Sequence, residues 1–159
     1  MSLLETLSIS ASALTAQQLR MDMLSQNMAN VDTTRTAEGG PYRRRNVLFQ
    51  EYKAFDSFND TLRNTVRSKS SRGLIDADPR RNMGVIVRGI TTDPSPGQMV
   101  YDPSHPDANE EGYVEKPNVN VVTEMIDMIS ASRSYEANIT AMNITKSMIT
   151  KTFELTRSQ

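Results

Sequence analysis

The sequence predicts a mainly α protein with a small β-containing insert, its long N- and C-terminal helices pairing as an elongated, coiled-coil-like hairpin. Three observations carry that fold class. All seven glycines and all seven prolines lie between residues 39 and 117, so both ends lack the two residues that most disfavour a helix interior. Apolar residues recur at steps of three and four in both ends. Apolar content divides the chain in the same way, at 16 of 31 in residues 1–31 and 18 of 42 in 118–159, but 25 of 86 between them. The expected organisation is a helix in 1–36, a strand-and-loop middle in 37–117, and a second helix in 118–159.

In the first segment Leu4, Leu7, Ala11, Leu14, Met21, Leu24, Met28 and Val31 follow one helical face, with a gap at Gln17–Gln18; Leu7, Leu14, Met21 and Met28 make a strict seven-residue ladder. The middle opens with a candidate strand from Tyr42 to Tyr52, centred on Val47, Leu48 and Phe49. Residues 53–82 are polar and irregular, and predict a mobile loop or weak hairpin. A second strand is expected at Val85–Val87, entered by Gly84 and left near Gly89. Met99–Tyr101 and Tyr113–Val114 bracket a loop rich in Pro and Asp. Asn120, shortly after Pro117, is a candidate N-cap for the last helix. In that helix Val121, Met128, Tyr135, Met142 and Ile149 form one ladder, and Met125, Ser132, Ile139, Lys146 and Phe153 run beside it as the expected second line of a seam. At about 1.5 Å per residue the two helices would span roughly 45 and 60 Å.

The last helix is also apolar away from that seam, at Ile126, Ile129, Ile144 and Met148. A helix with several sticky faces wants several partners. Met21, Met23, Met28, Met125, Met128, Met142 and Met148 sit in the two terminal helices, where their flexible thioethers suit adaptable packing. Burial in a homo- or hetero-assembly accounts for this surface; a monomeric helical hairpin is the plainer alternative.

Chemistry finds little footing. Counted with Gly and without Tyr, 61 of 159 residues are apolar, about 38%, where 45–50% is usual for a globular domain. There is no cysteine for a disulfide, a thiol nucleophile or a thiolate metal site, and the single His105 cannot build a multi-histidine zinc site. With Pro103 and Pro106 on either side of the Ser104–His105 pair, His105 reads as a turn or surface residue. No nucleophile elbow, phosphate loop or dinucleotide fingerprint is present. No run of about 18 apolar residues suggests a membrane span, and no cleavable secretory signal is visible. No enzyme activity and no cofactor are therefore expected. Arg43-Arg44-Arg45 beside Tyr42 and Phe49 raises a nucleic-acid reading, which no recognisable binding module supports.

The near-neutral net charge of −1 conceals a division. Residues 43–88 hold eleven Lys/Arg and five Asp/Glu, whereas residues 93–127 hold eight Asp/Glu and only Lys116. Such a division can set register between stacked subunits, or can be ordinary solvated loop charge.

The stretch from Ser12 to Arg20, leading to Ser25-Gln26-Asn27-Met28-Ala29-Asn30-Val31-Asp32-Thr33, resembles the N-terminal signature of bacterial flagellar rod, hook and hook-associated proteins. Further motifs narrow the resemblance to the proximal rod: Tyr42-Arg43, Val47-Leu48-Phe49-Gln50, Tyr101-Asp102-Pro103, His105-Pro106-Asp107-Ala108, Gly112-Tyr113-Val114, the run from Pro117 through Asn118 and Asn120 to Met125, and the run from Ser132 and Arg133 through Tyr135 to Asn138. The resemblance covers residues 3–52 and 97–153; residues 53–96 do not follow a family pattern.

The resemblance implies a structural subunit of the basal-body rod, the periplasm-spanning drive shaft that transmits torque and encloses an export channel. The implied partners are other rod proteins, copies of the chain itself, and junction proteins of the inner-membrane ring and export gate. It also implies export through the flagellar type III apparatus without signal-peptide cleavage, which suits a chain with no cysteine. The ladders Leu7/Leu14/Met21/Met28 and Met128/Tyr135/Met142/Ile149 are then expected to hold the helix pair, with Ile126, Ile129, Ile144 and Met148 meeting adjacent subunits. Asn27 and Asn30 either hydrogen-bond across the helices and fix register or lie exposed at a fraying end. The competing function is a soluble helical adaptor or chaperone of a type III secretion system.

Overall fold

The computed structural model describes residues 3–53 and 82–157. Its elements run α1 (Leu3–Ala29), β1 (Arg45–Lys53), β2 (Asn82–Thr92), β3 (Met99–Tyr101), β4 (Tyr113–Glu115) and α2 (Val121–Arg157). The loop or hairpin expected in 53–82 lies outside the described residues except for its two ends, Lys53 and Asn82, which close β1 and open β2.

α1 ends at Ala29, short of the boundary near residue 36 that the lack of Gly and Pro suggested. Side chains end it: Asn30 Nδ2 donates back to the Gln26 carbonyl, Thr33 Oγ1 donates to Asn30 Oδ1, and the Thr33 N–H donates to the Asn30 carbonyl. Such local bonds compete with the helical ladder. α2 begins where expected, with Asn120 Oδ1 accepting the N–H groups of Val122 and Thr123 as an N-cap.

β1 and β2 form an antiparallel ribbon, with a register irregularity between Leu48 and Phe49. β2 runs through both glycines that were expected to bound it, because Gly84 allows a close approach. Its φ of +115° lies outside the range of most side chains, and a Cβ there would collide with the Ser12 hydroxyl of α1. Ser12 Oγ accepts the Val85 N–H at 3.1 Å and donates to the Ile9 carbonyl at 2.7 Å, seating the ribbon on α1. β3 and β4 make a second, three-residue antiparallel pair.

α1 packs against α2 and against both strands of the ribbon. Its ladder of Leu7, Leu14, Met21 and Met28 is half-buried throughout, while Ala16, Met23, Leu24 and Asn27 are the most enclosed. On α2 the ladder Met128, Tyr135, Met142 and Ile149 is half-buried. Its companion differs from expectation. Glu124, Ala131 and Thr145 are buried and Asn138 half-buried, whereas Met125 and Phe153 of the expected line stand 50% and 71% exposed, with Ile139 and Lys146 exposed as well. Apolar content singled out the wrong line because close approach to α1 is taken by small side chains and by a carboxylate held in hydrogen bonds.

The two helices run antiparallel, with Asn27 near the end of α1 meeting Glu124 near the start of α2. Counting back from Asn27 to Leu3 and forward from Glu124 by the same 24 residues reaches Met148, so beyond Ile149 the last eight residues of α2 extend about 12 Å past the start of α1 at Leu3.

Candidate functional site

The most constrained part of the molecule is a polar cluster where α1, α2 and the segment entering β1 meet. Asn27 is fully buried and its amide is saturated. Nδ2 donates to Glu124 Oε2 and to the Arg45 carbonyl, each at 2.9 Å. Oδ1 accepts the Tyr42 hydroxyl at 2.9 Å and the Arg45 N–H at 3.0 Å. Glu124, also fully buried, receives Arg44 Nε on Oε1. The Arg44 guanidinium reaches on to Asp127 Oδ2 at 3.2 Å, and Arg20 of α1 donates to Asp127 Oδ1 at 3.0 Å. Burial raises the Tyr42 phenol pKa above its ordinary value, with Arg45 opposing the shift and Glu124 adding to it.

Asn118 clamps this cluster from the other side. Its Oδ1 accepts the Arg44 N–H at 2.8 Å, and its amide donates to the carbonyls of Asp93 and Ser95 at 3.3 and 3.1 Å. Pro117 beside it is buried. Asn30 takes no part, bonding only within its own turn.

The β3–β4 unit docks beyond the end of α1. Thr34 Oγ1 donates to Asp107 Oδ2 at 2.8 Å, and Arg35 approaches the same carboxylate at 3.7 Å. The Tyr101 and Tyr113 rings meet edge to face at 5.3 Å. Gly112, at φ +80°, lies so close beneath that a Cβ would press on the Tyr101 ring and Pro103. His105 Nδ1 accepts the Asp107 N–H at 3.1 Å, a turn role. Hydrogen bonds from Ser104 hold the Asp102 carboxyl below the usual range, and Ser95 does the same for Asp93.

The remaining sequence-predicted residues separate by face. Ile126, Ile129, Ile144 and Met148 are all exposed, with Ile126 at 63%. Ile126 and Ile144 are 18 residues apart, five helical turns, and share a meridian; Tyr135, nine residues from Ile126, lies half a turn away and faces α1. α2 therefore carries two opposed packing faces, one against α1 and one bare. Arg133 is exposed, Val31 and Ser132 are half-buried, and Asn138 Nδ2 donates to the Ser134 carbonyl. Sequence reasoning left Arg20, Tyr42, Arg44, Glu124 and Asp127 out of the candidate site. The available signal was an acid at seven-residue spacing with Ala131, near the start of the helix and downstream of an arginine run.

Two family models match this arrangement's terminal parts. One, described as flagella basal body rod protein, covers residues 7–35; the other, described as flagellar basal body rod FlgEFG protein C-terminal, covers residues 110–155. The flagellar basal-body rod protein FlgC of Bacillus subtilis is 46% identical over 159 residues, spanning 98% of this chain and 99% of that one. The chain belongs to the FlgC family. FlgC of Borreliella burgdorferi is 44% identical over 155 residues, 93% of each chain, and FlgC of Salmonella typhimurium is 38% identical over 156 residues, 98% of each. As a FlgC family member the chain is a structural subunit of the bacterial flagellar basal-body rod, part of the motility apparatus and not an enzyme. An adaptor or chaperone of a secretion system finds no support in these relatives. The FlgC alignments also run through the middle of the chain, where the residues by themselves had shown no family pattern. No helix among the described residues is long and apolar enough to cross a membrane.

Proposed function

We propose that the chain assembles with copies of itself and with other rod proteins into a helical drive shaft that transmits torque and surrounds an export channel. In this reading α1 and α2 act as an elongated coiled coil, using the lines Glu124/Ala131/Asn138/Thr145 and Met128/Tyr135/Met142/Ile149 as its inner seam. The observation that carries the reading is the bare face of α2, where Ile126, Ile129, Ile144 and Met148 lie opposite the seam. Soluble proteins rarely leave such a stripe without a partner. Neighbouring subunits cover it, and junction proteins of the inner-membrane ring and export gate meet the membrane-proximal copies. The chain reaches this place through the flagellar export apparatus without loss of a signal peptide.

Replacement of Ile126 by Glu tests the reading. It places a charge on the bare face while leaving the seam and the polar cluster intact. The variant is expected to be exported at the normal level yet to leave cells non-motile and without complete rods in electron micrographs. Normal rods and swimming in that variant overturn the reading.

A further inference from the structure

We propose that the segment Tyr42–Arg45 is a strap whose docking licenses the pairing of α1 and α2. Glu124 is the reason. It is fully buried on the first turns of α2, and its two oxygens are met from two different places: Asn27 Nδ2 from α1 and Arg44 Nε from the strap. With the strap away, the helices would enclose a carboxylate facing only a neutral amide, and an uncompensated buried charge opposes the pairing that encloses it. Docking of Arg44 removes that opposition.

The strap in turn has no seat until both helices are in place. Its Tyr42 hydroxyl and Arg45 N–H both end on Asn27 Oδ1, its Arg44 N–H ends on Asn118 Oδ1, and its Arg44 guanidinium bridges Glu124 and Asp127. Arg20 of α1 completes the bridge through the other oxygen of Asp127. Helix pairing and strap docking are therefore mutually conditional, and a register shift of either helix breaks both. The arrangement holds the terminal helices apart in a chain whose middle has not folded, which goes beyond the rod reading and depends on it only for the readout below.

The partners are unequal, and that makes the strap testable. Without its charge Glu124 no longer needs Arg44, whereas Arg44 retains Asp127. Loss of Arg44 should therefore be relieved by a second change that neutralises Glu124. Full-length variants are placed in cells lacking their own copy of the chain, with equal amounts verified by immunoblot, and rods per cell are counted in electron micrographs. Cells without any copy must lack rods; if they make them, the rod reading fails whatever the strap does. Arg44→Ala is expected to lower the count at least about tenfold, Glu124→Gln to stay within about threefold of the unaltered chain, and the double variant to recover at least about fivefold over Arg44→Ala alone. A double variant no better than Arg44→Ala overturns the proposal. So does Glu124→Gln as damaging as Arg44→Ala, or Arg44→Ala without effect.

Discussion

Asn27 Nδ2 lies 2.9 Å from Glu124 Oε2, joining residues 97 positions apart inside a fully buried contact. The same amide holds Tyr42 and both backbone groups of Arg45, so one side chain fixes where the two helices and the intervening chain meet. Asn27→Asp replaces the donor with a carboxylate against Glu124 and should cost at least about 3 kcal/mol, more than Asn27→Ala. Counting rods in cells carrying each variant checks the ranking. Equal counts for the two would remove charge repulsion as the cause.

The ribbon is seated by Ser12 and Gly84. Ser12→Ala leaves the Val85 N–H without its acceptor and should cost about 1 kcal/mol. Gly84→Ala forces a side chain at φ +115° into the Ser12 hydroxyl and should cost about 2 kcal/mol or more. Hydrogen exchange at Val85 in isolated basal bodies reports both, with faster exchange expected in each variant and the larger change for Gly84→Ala.

At the start of α2, Asn120→Ala removes the acceptor for two backbone donors and should cost about 1 kcal/mol, whereas Asn120→Asp keeps an acceptor and adds a charge favoured by the helix dipole. Amide exchange at Val122 and Thr123 should rise in the first variant and stay near the original in the second.

The Asp102 carboxyl is held low by the Ser104 hydroxyl and N–H. Since its folded pKa lies below its unfolded one, the turn gains stability above the unfolded value, roughly pH 4, and loses it as pH falls through the lower folded value. A carbon-detected titration of Asp102 in the full chain should place its midpoint below that of an unstructured aspartate. Ser104→Ala should move the midpoint up; an unchanged midpoint would show that the hydroxyl contributes nothing.

The helices, all four strand cores and the Asn120 cap were legible because they rest on local rules: breaker-free segments, short runs of Val, Ile and aromatic residues between turns, and a capping side chain. The extent of α1 was not, since Asn30 and Thr33 end it through bonds that composition does not reveal. The second seam line on α2 was misread for a related reason. Met125, Ile139 and Phe153 look like core by hydropathy, while the buried positions are Glu124, Ala131 and Thr145. A carboxylate becomes a core residue only when its partners arrive, and Arg44 lies 80 positions away in sequence. Of the two candidate asparagines, residue type could not tell Asn27, which spans the helices, from Asn30, which closes a turn.

The unequal lengths of α1 and α2 give the subunit a direction. The last eight residues of α2, including Phe153 at 71% exposure, run past the start of α1 at one end, while the β3–β4 unit crowds the other. The subunit thus has a protruding tongue at one end and a blunt shoulder at the other. The two ends of one chain therefore offer different surfaces to whatever meets them.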